Sequence, residues 1–132
     1  MSNLDQIYKK QILEEAKHPF HFEKREGSLE QIRAYNPICG DRFDLYLSEN
    51  DLHFHGFGCT ISKASTSFML RRLEGKTDQE KLEIINEFLK SIDQNLSIND
   101  PMLKVFENKE TFRGRLDCII LPWKALKEKL EE

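Results

Sequence analysis

Three cysteines, Cys39, Cys59 and Cys118, and one aspartate, Asp41, are the residues of this chain whose types and settings carry chemistry. Cys39 sits in Asn36-Pro37-Ile38-Cys39-Gly40-Asp41. Asn-Pro and Cys-Gly are loop pairs, so this thiol is expected to be accessible. Residues two apart in an extended or turn segment point roughly the same way. One metal ion could therefore take a thiolate from Cys39 and a carboxylate oxygen from Asp41. Cys59 sits in Gly56-Phe57-Gly58-Cys59-Thr60-Ile61-Ser62, where glycines permit a tight strand-to-helix turn. That puts Cys59 at or near a helix N-terminus, where unpaired N–H groups and the helix dipole favour an anion. Cys118 immediately precedes Ile119-Ile120-Leu121-Pro122-Trp123, the expected start of the last helix, and the same reasoning applies to it.

The three thiols are too far apart in sequence for a short-range zinc-ribbon pattern, so any shared site must be assembled by the tertiary fold. An odd number of cysteines excludes a closed set of intrachain disulfides. A cysteine taken alone is most often a small buried hydrophobe. Two of these three, however, lie in glycine-rich turns beside polar residues, where a core hydrophobe is out of place. The residues by themselves point to a Cys3Asp metal site. His53 and His55 share a strand face near Cys59 and could bind a metal. The favoured reading makes them ordinary strand residues, exposed or partly buried. His18 and His21 fall in a loop and receive no role. Lys63 either reaches the site or faces water, Asp44 is expected to face solvent, and Lys124 to Glu132 reads as a charged, solvated helix end. There is no phosphate-binding loop, dinucleotide fingerprint or Ser/His/Asp signature.

The 132 residues fit one domain spanning the whole chain, 1–132, long enough to bury a core without disulfides. With 20 basic and 23 acidic side chains the net charge is −3, which argues against a nucleic-acid binder working by general electrostatics. The longest apolar run, near Ile119-Ile120-Leu121, is far short of a membrane span. The polar start Met1-Ser2-Asn3-Leu4-Asp5 shows no signal-peptide pattern, so the expected compartment is the reducing cytoplasm.

These residues need elements to hold them. Leu4 to Lys17 reads as a first helix that stops at His18-Pro19, followed by a polar connector over His21 to Gly27. Three strand-like segments follow: Leu29 to Tyr35, the alternating run around Phe43, Leu45 and Leu47, and Leu52 to Phe57. The turn Ser48-Glu49-Asn50-Asp51 joins the last two as a hairpin. Thr60 to Leu73 is helical and ends at Glu74-Gly75. Thr77 or Asp78 caps another helix with Leu82, Ile85, Phe88 and Leu89 as its apolar stripe. Asp93 to Asp100 reads as a loop, Pro101 to Phe106 as a short helix, and Gly114 to Cys118 as a connector. The closing helix is expected over Ile119 to Leu130, with Pro122 tolerated in its first turn. The expected fold is α+β: a small antiparallel three-stranded sheet with helices packed on one face.

Three blocks carry a resemblance: Asn36-Pro-Ile-Cys-Gly-Asp41, Gly56-Phe-Gly-Cys-Thr-Ile-Ser-Lys-Ala-Ser-Thr-Ser67 and Cys118-Ile-Ile-Leu-Pro-Trp-Lys-Ala-Leu126. Together they resemble the signature blocks of the SufU branch of the IscU/NifU N-terminal-domain family, which acts in iron–sulfur cluster biogenesis. The resemblance implies that Cys39, Asp41, Cys59 and Cys118 are the metal or cluster ligands. It implies a zinc cofactor, with iron or a [2Fe–2S] cluster as the alternative on the same ligands. It implies that Cys39 accepts persulfide sulfur from a SufS-type cysteine desulfurase. In that branch the partner supplies a histidine to the zinc and Cys39 is freed as the nucleophile. The sulfur then passes to a downstream iron–sulfur assembly scaffold. Arg115 matches a basic position of the SufU-like proteins, where it would offset the excess negative charge of three thiolates and a carboxylate around a dication. Two features depart from the IscU branch. Asp117 stands where that branch has a histidine before the third cysteine, which leaves open whether Asp117 or Asp41 completes the site. The stretch from Cys59 to Cys118 is long and resembles the SufU insertion, here roughly Lys90 to Thr111. The hairpin between Cys39 and Cys59 is a few residues shorter than in its relatives. The readings to be separated are a zinc-dependent sulfurtransferase, a [2Fe–2S] scaffold, and a non-enzymatic module that zinc merely holds together.

Overall fold

A computed structural model describes residues 3–24, 30–38, 40–47, 51–107, 112 and 114–131. Cys39, and Ser48 to Asn50 of the expected hairpin turn, lie outside the described residues. The elements in chain order are α1 (Asn3–Lys17), β1 (Glu30–Tyr35), β2 (Arg42–Leu47), β3 (Leu52–Phe57), α2 (Thr60–Leu73), α3 (Asp78–Gln94), a 3-10 turn (Leu103–Phe106) and α4 (Leu116–Leu130).

The strands form an antiparallel meander in the order β1-β2-β3. Its register sets Ala34, Phe43 and Gly56 in one row and Ile32, Leu45 and Phe54 in the next. Those rows carry the buried side chains Ala34, Phe43, Leu45 and Phe54, and α2 and α4 pack against the sheet. The opposite face carries Tyr35, Arg42 and Phe57 in one row and Arg33, Asp44 and His55 in the next. Asp44 is half-buried there and accepts from Arg33 Nε at 2.8 Å, so it is paired across the strands as well as solvated. The polar connector expected after α1 does more than link. Glu23 N–H donates to Phe54 O at 2.8 Å and Phe54 N–H to His21 O at 3.1 Å, so residues 21–23 pair with β3. His53 is consequently buried, a correction to its expected exposure: its ring stacks on His21 at 4.6 Å and faces Glu23 at 3.9 Å.

Helix boundaries follow local chemistry. Thr77 forms a capping box with Glu80 at the start of α3. That helix runs to Gln94 and closes on Asn95 in the left-handed region, so the expected loop begins two residues later than Asp93. Pro101 precedes the 3-10 turn rather than opening a helix. The main correction lies at α4, which starts at Leu116 instead of Ile119. Gly114 at φ +80 reverses the chain, and the Arg115 carbonyl then accepts from Cys118 N–H at 3.0 Å and Ile119 N–H at 3.2 Å. Pro122 therefore falls inside the helix, where it supplies no N–H to the carbonyl of Cys118. The buried Trp123 next to it stacks on Phe88 of α3 at 4.2 Å, tying α4 into the core. Among the described residues no helix is long and apolar enough to cross a membrane.

Candidate metal centre

Each donor is delivered by the end of an element. The β1–β2 connection is drawn tight by Asn36. Its N–H donates to Asp41 O at 2.9 Å, its carbonyl accepts from Gly40 N–H at 2.7 Å, and its side-chain oxygen accepts from Ile38 N–H at 3.0 Å. Gly40 takes φ +80, which a glycine adopts without strain. Asp41 leaves this turn with only 2% of its surface exposed. One of its oxygens, Oδ1, accepts from Cys59 N–H at 2.9 Å, while Oδ2 lies 3.9 Å from Cys59 Sγ.

Cys59 is the N-cap of α2, and its sulfur accepts from Ser62 N–H at 3.4 Å. It thus takes the place that Ser, Thr, Asp or Asn usually fills. Gly58 makes the approach possible. A Cβ there would lie 2.7 Å from Asp41 Oδ1, 2.8 Å from Ser62 Oγ and 2.9 Å from a Phe43 ring carbon. Cys118, buried, sits in the first turn of α4. The positive ends of two helices therefore meet at this point and favour anionic ligands there.

Asp41, Cys59 and Cys118 each present a ligand atom to one small volume, and all three atoms lie within 4.8 Å of one another. Between the two aspartates left open by sequence, Asp41 joins the cysteines. Asp117 is exposed, and it is not in this cluster. Cys39, the fourth predicted ligand, lies outside the described residues; its neighbour Ile38 is 91% exposed. Arg115 is exposed and forms the N-cap of α4 through its backbone. His53 and His55 also stay out of the cluster. His55 packs on the Phe22 ring at 4.8 Å, and Lys63 sits over that same ring at 4.5 Å rather than at the sulfurs.

The donor chemistry fits zinc, which takes thiolate and carboxylate ligands in a tetrahedron with donor atoms roughly 3.5 Å apart. Soft thiolates equally suit iron in an iron–sulfur cluster. Two residues that matter to this arrangement carry no sequence signal as ligands. Ser62 is marked only by lying three positions after an N-cap, and Ser65 by nothing beyond its small size. Ser65 Oγ donates to Ile119 O at 2.5 Å and accepts from Trp123 Nε1 at 3.1 Å, which fixes α4 against α2 beside Cys118.

The profile of the NifU-like N terminal domain family matches residues 7–130. The chain is 30% identical to a protein of Streptococcus pyogenes serotype M1 named "Iron-sulfur cluster assembly scaffold protein IscU", covering 99% of this chain and 87% of that one. It is also 30% identical to "Zinc-dependent sulfurtransferase SufU" of Bacillus subtilis (strain 168), covering 96% and 91% of the two chains. Among solved structures, a putative iron–sulfur cluster assembly scaffold protein for the SUF system from Fervidobacterium islandicum superposes with a TM-score of 0.72. It shares 28% identity over 98% of this chain and 96% of its own.

Proposed function

Because the chain belongs to the NifU-like N-terminal-domain family, we propose that it works in iron–sulfur cluster assembly as a zinc-dependent sulfur acceptor of the SufU kind. The observation that carries this reading is the convergence of Asp41, Cys59 and Cys118 ligand atoms within 4.8 Å at the meeting point of β2, α2 and α4. A zinc ion held by these three residues and Cys39 would supply Lewis-acid stabilisation of the thiolates. The chain's own contribution would be to present the reacting thiol. Cys39 stands in sequence between Ile38, which is exposed, and Gly40, whose N–H donates to the Asn36 carbonyl, and the loop pairs Asn-Pro and Cys-Gly support a thiol open to a donor enzyme. In the reaction the Cys39 thiolate attacks the terminal sulfur of a cysteine persulfide on the desulfurase. The donor's S–S bond breaks, its cysteine leaves as a thiolate, and Cys39 carries the persulfide to a downstream assembly scaffold. Arg115, at the start of α4, contributes positive charge that favours the thiolate form.

The scaffold reading keeps the same ligands and treats a [2Fe–2S] cluster as cargo; the name of the Streptococcus relative supports it. The absence of a histidine before Cys118, where Asp117 stands, favours the sulfur acceptor. Metal analysis together with a desulfurase assay tests the choice. The proposal expects a colourless, zinc-containing protein that stimulates a SufS-type cysteine desulfurase, and loss of that stimulation in Cys39→Ala with the circular dichroism unchanged. Full stimulation by Cys39→Ala contradicts it. A brown protein containing iron and acid-labile sulfide supports the scaffold. Zinc content without any stimulation leaves only a zinc-stabilised module.

A further inference from the structure

Ser62 is fully buried in the first turn of α2, and both of its polar groups meet Cys59. Its N–H donates to Cys59 Sγ at 3.4 Å, and its Oγ lies 3.5 Å from the same sulfur. The hydroxyl also lies 3.1 Å from the Cys59 carbonyl, to which it donates. One hydroxyl proton cannot serve both. While Cys59 is a thiol, its S–H can donate to Ser62 Oγ or to Asp41 Oδ2, and the Ser62 proton goes to the carbonyl. Once Cys59 is a thiolate, the sulfur only accepts, and the hydroxyl can turn its proton to it. Cys59 then receives two hydrogen bonds from one residue.

Hydrogen bonds to a thiolate draw lone-pair density off the sulfur. We propose that Ser62 is a positioning residue that restrains the Cys59 thiolate, keeping it a fixed ligand and leaving nucleophilic attack to another thiol. The ligand half of this inference rests on the metal-site reading above. The reactivity half does not, and the test separates them.

Alkylation of the reduced, metal-free protein by iodoacetamide, followed peptide by peptide across a pH series, gives the plateau rate of the Cys59 thiolate. That plateau rises about tenfold in Ser62→Ala, the scale of a hydrogen bond to a charged group. It stays near wild type in Ser62→Thr, which keeps the hydroxyl. It is unchanged in Ser91→Ala, which removes a buried hydroxyl of α3 that donates to the Glu87 carbonyl, away from the sulfurs. Wild-type protein loaded with spin-active cadmium supplies a second readout that needs no variant: scalar coupling from the metal to the Ser62 amide proton across the N–H···S hydrogen bond. Equal plateau rates in wild type and Ser62→Ala overturn the proposal, as does cadmium uptake without that coupling. Absence of cadmium uptake beside a tenfold rate effect refutes the metal-site reading and upholds the restraint.

Discussion

At the scale of single residues, the space around Asp41 is as informative as its charge. Its carboxylate occupies the volume that a side chain at position 58 would fill, 2.7 Å from the Cβ position of Gly58. Gly58→Ala is therefore expected to push the carboxylate off the Cys59 N–H and weaken zinc binding by about 10–100-fold, the usual effect of disturbing what orients a ligand. Competition against a chromophoric chelator measures this, and an unchanged affinity would place the metal away from Asp41. The same assay separates the two aspartates: Asp41→Ala loses zinc and Asp117→Ala keeps it. Residue types alone singled out Asp41, Cys59 and Cys118, whose ligand atoms the fold brings together, and Cys39, which lies outside the described residues. They could not rank Asp41 against Asp117, because both stand close to a cysteine in sequence and only the fold brings one of them into the cluster. Ser62 was hidden for a related reason: a serine on a helix reads as polar surface until its burial is seen.

At the scale of elements, α2 is a hydroxyl-bearing strut. Ser65 reaches α4 through Ile119 O and Trp123 Nε1, while Ser67 Oγ accepts from Phe20 N–H and donates to Glu15 of α1, both at 2.6 Å. Ser65→Ala leaves the buried indole N–H of Trp123 without this acceptor. It should cost about 1–3 kcal/mol in chemical denaturation, the range for an unsatisfied buried group. A loss well under this range would mean that packing alone positions α4. A separate test concerns the capping box of α3. The Thr77 backbone N–H, and then its hydroxyl, hold the Glu80 carboxyl below its ordinary range. A depressed carboxyl stabilises the fold above its unfolded-state pKa and loses that contribution as pH falls through the folded one. Glu80→Ala, which removes the carboxyl that the Thr77 N–H holds, should therefore destabilise the protein near neutral pH in chemical denaturation, and the gap to wild type should narrow in acid. A gap independent of pH would exclude Glu80 from the cap. Strand alternation and the α2 boundaries were readable because period and turn chemistry agreed there. The start of α4 was not, since Gly114-Arg115 carries no side-chain cap and Pro122 suggested a later first turn.

At the scale of the whole molecule, no single element contains the site. Asp41 comes from the edge of β2, Cys59 from the cap of α2 and Cys118 from the first turn of α4. A bound ion would join all three, so its free energy adds to folding. Chelation should lower the melting temperature of the zinc-loaded protein, with a loss on the order of 3 kcal/mol when free zinc had stood at about a hundred times its Kd. A Cys59→Ala, Cys118→Ala double variant should melt at the same temperature with or without chelator. A wild-type melting temperature that ignores chelation would separate the metal from the fold. The proposed function stands on sulfur passing onto this chain at Cys39. Incubation with a SufS-type desulfurase and cysteine, followed by peptide-resolved mass spectrometry without reductant, tests it directly. The mass of one added sulfur atom is expected on the peptide carrying Cys39 and none on those carrying Cys59 or Cys118. An unmodified Cys39 beside a turning-over desulfurase, or sulfur added at Cys59 instead, would contradict it.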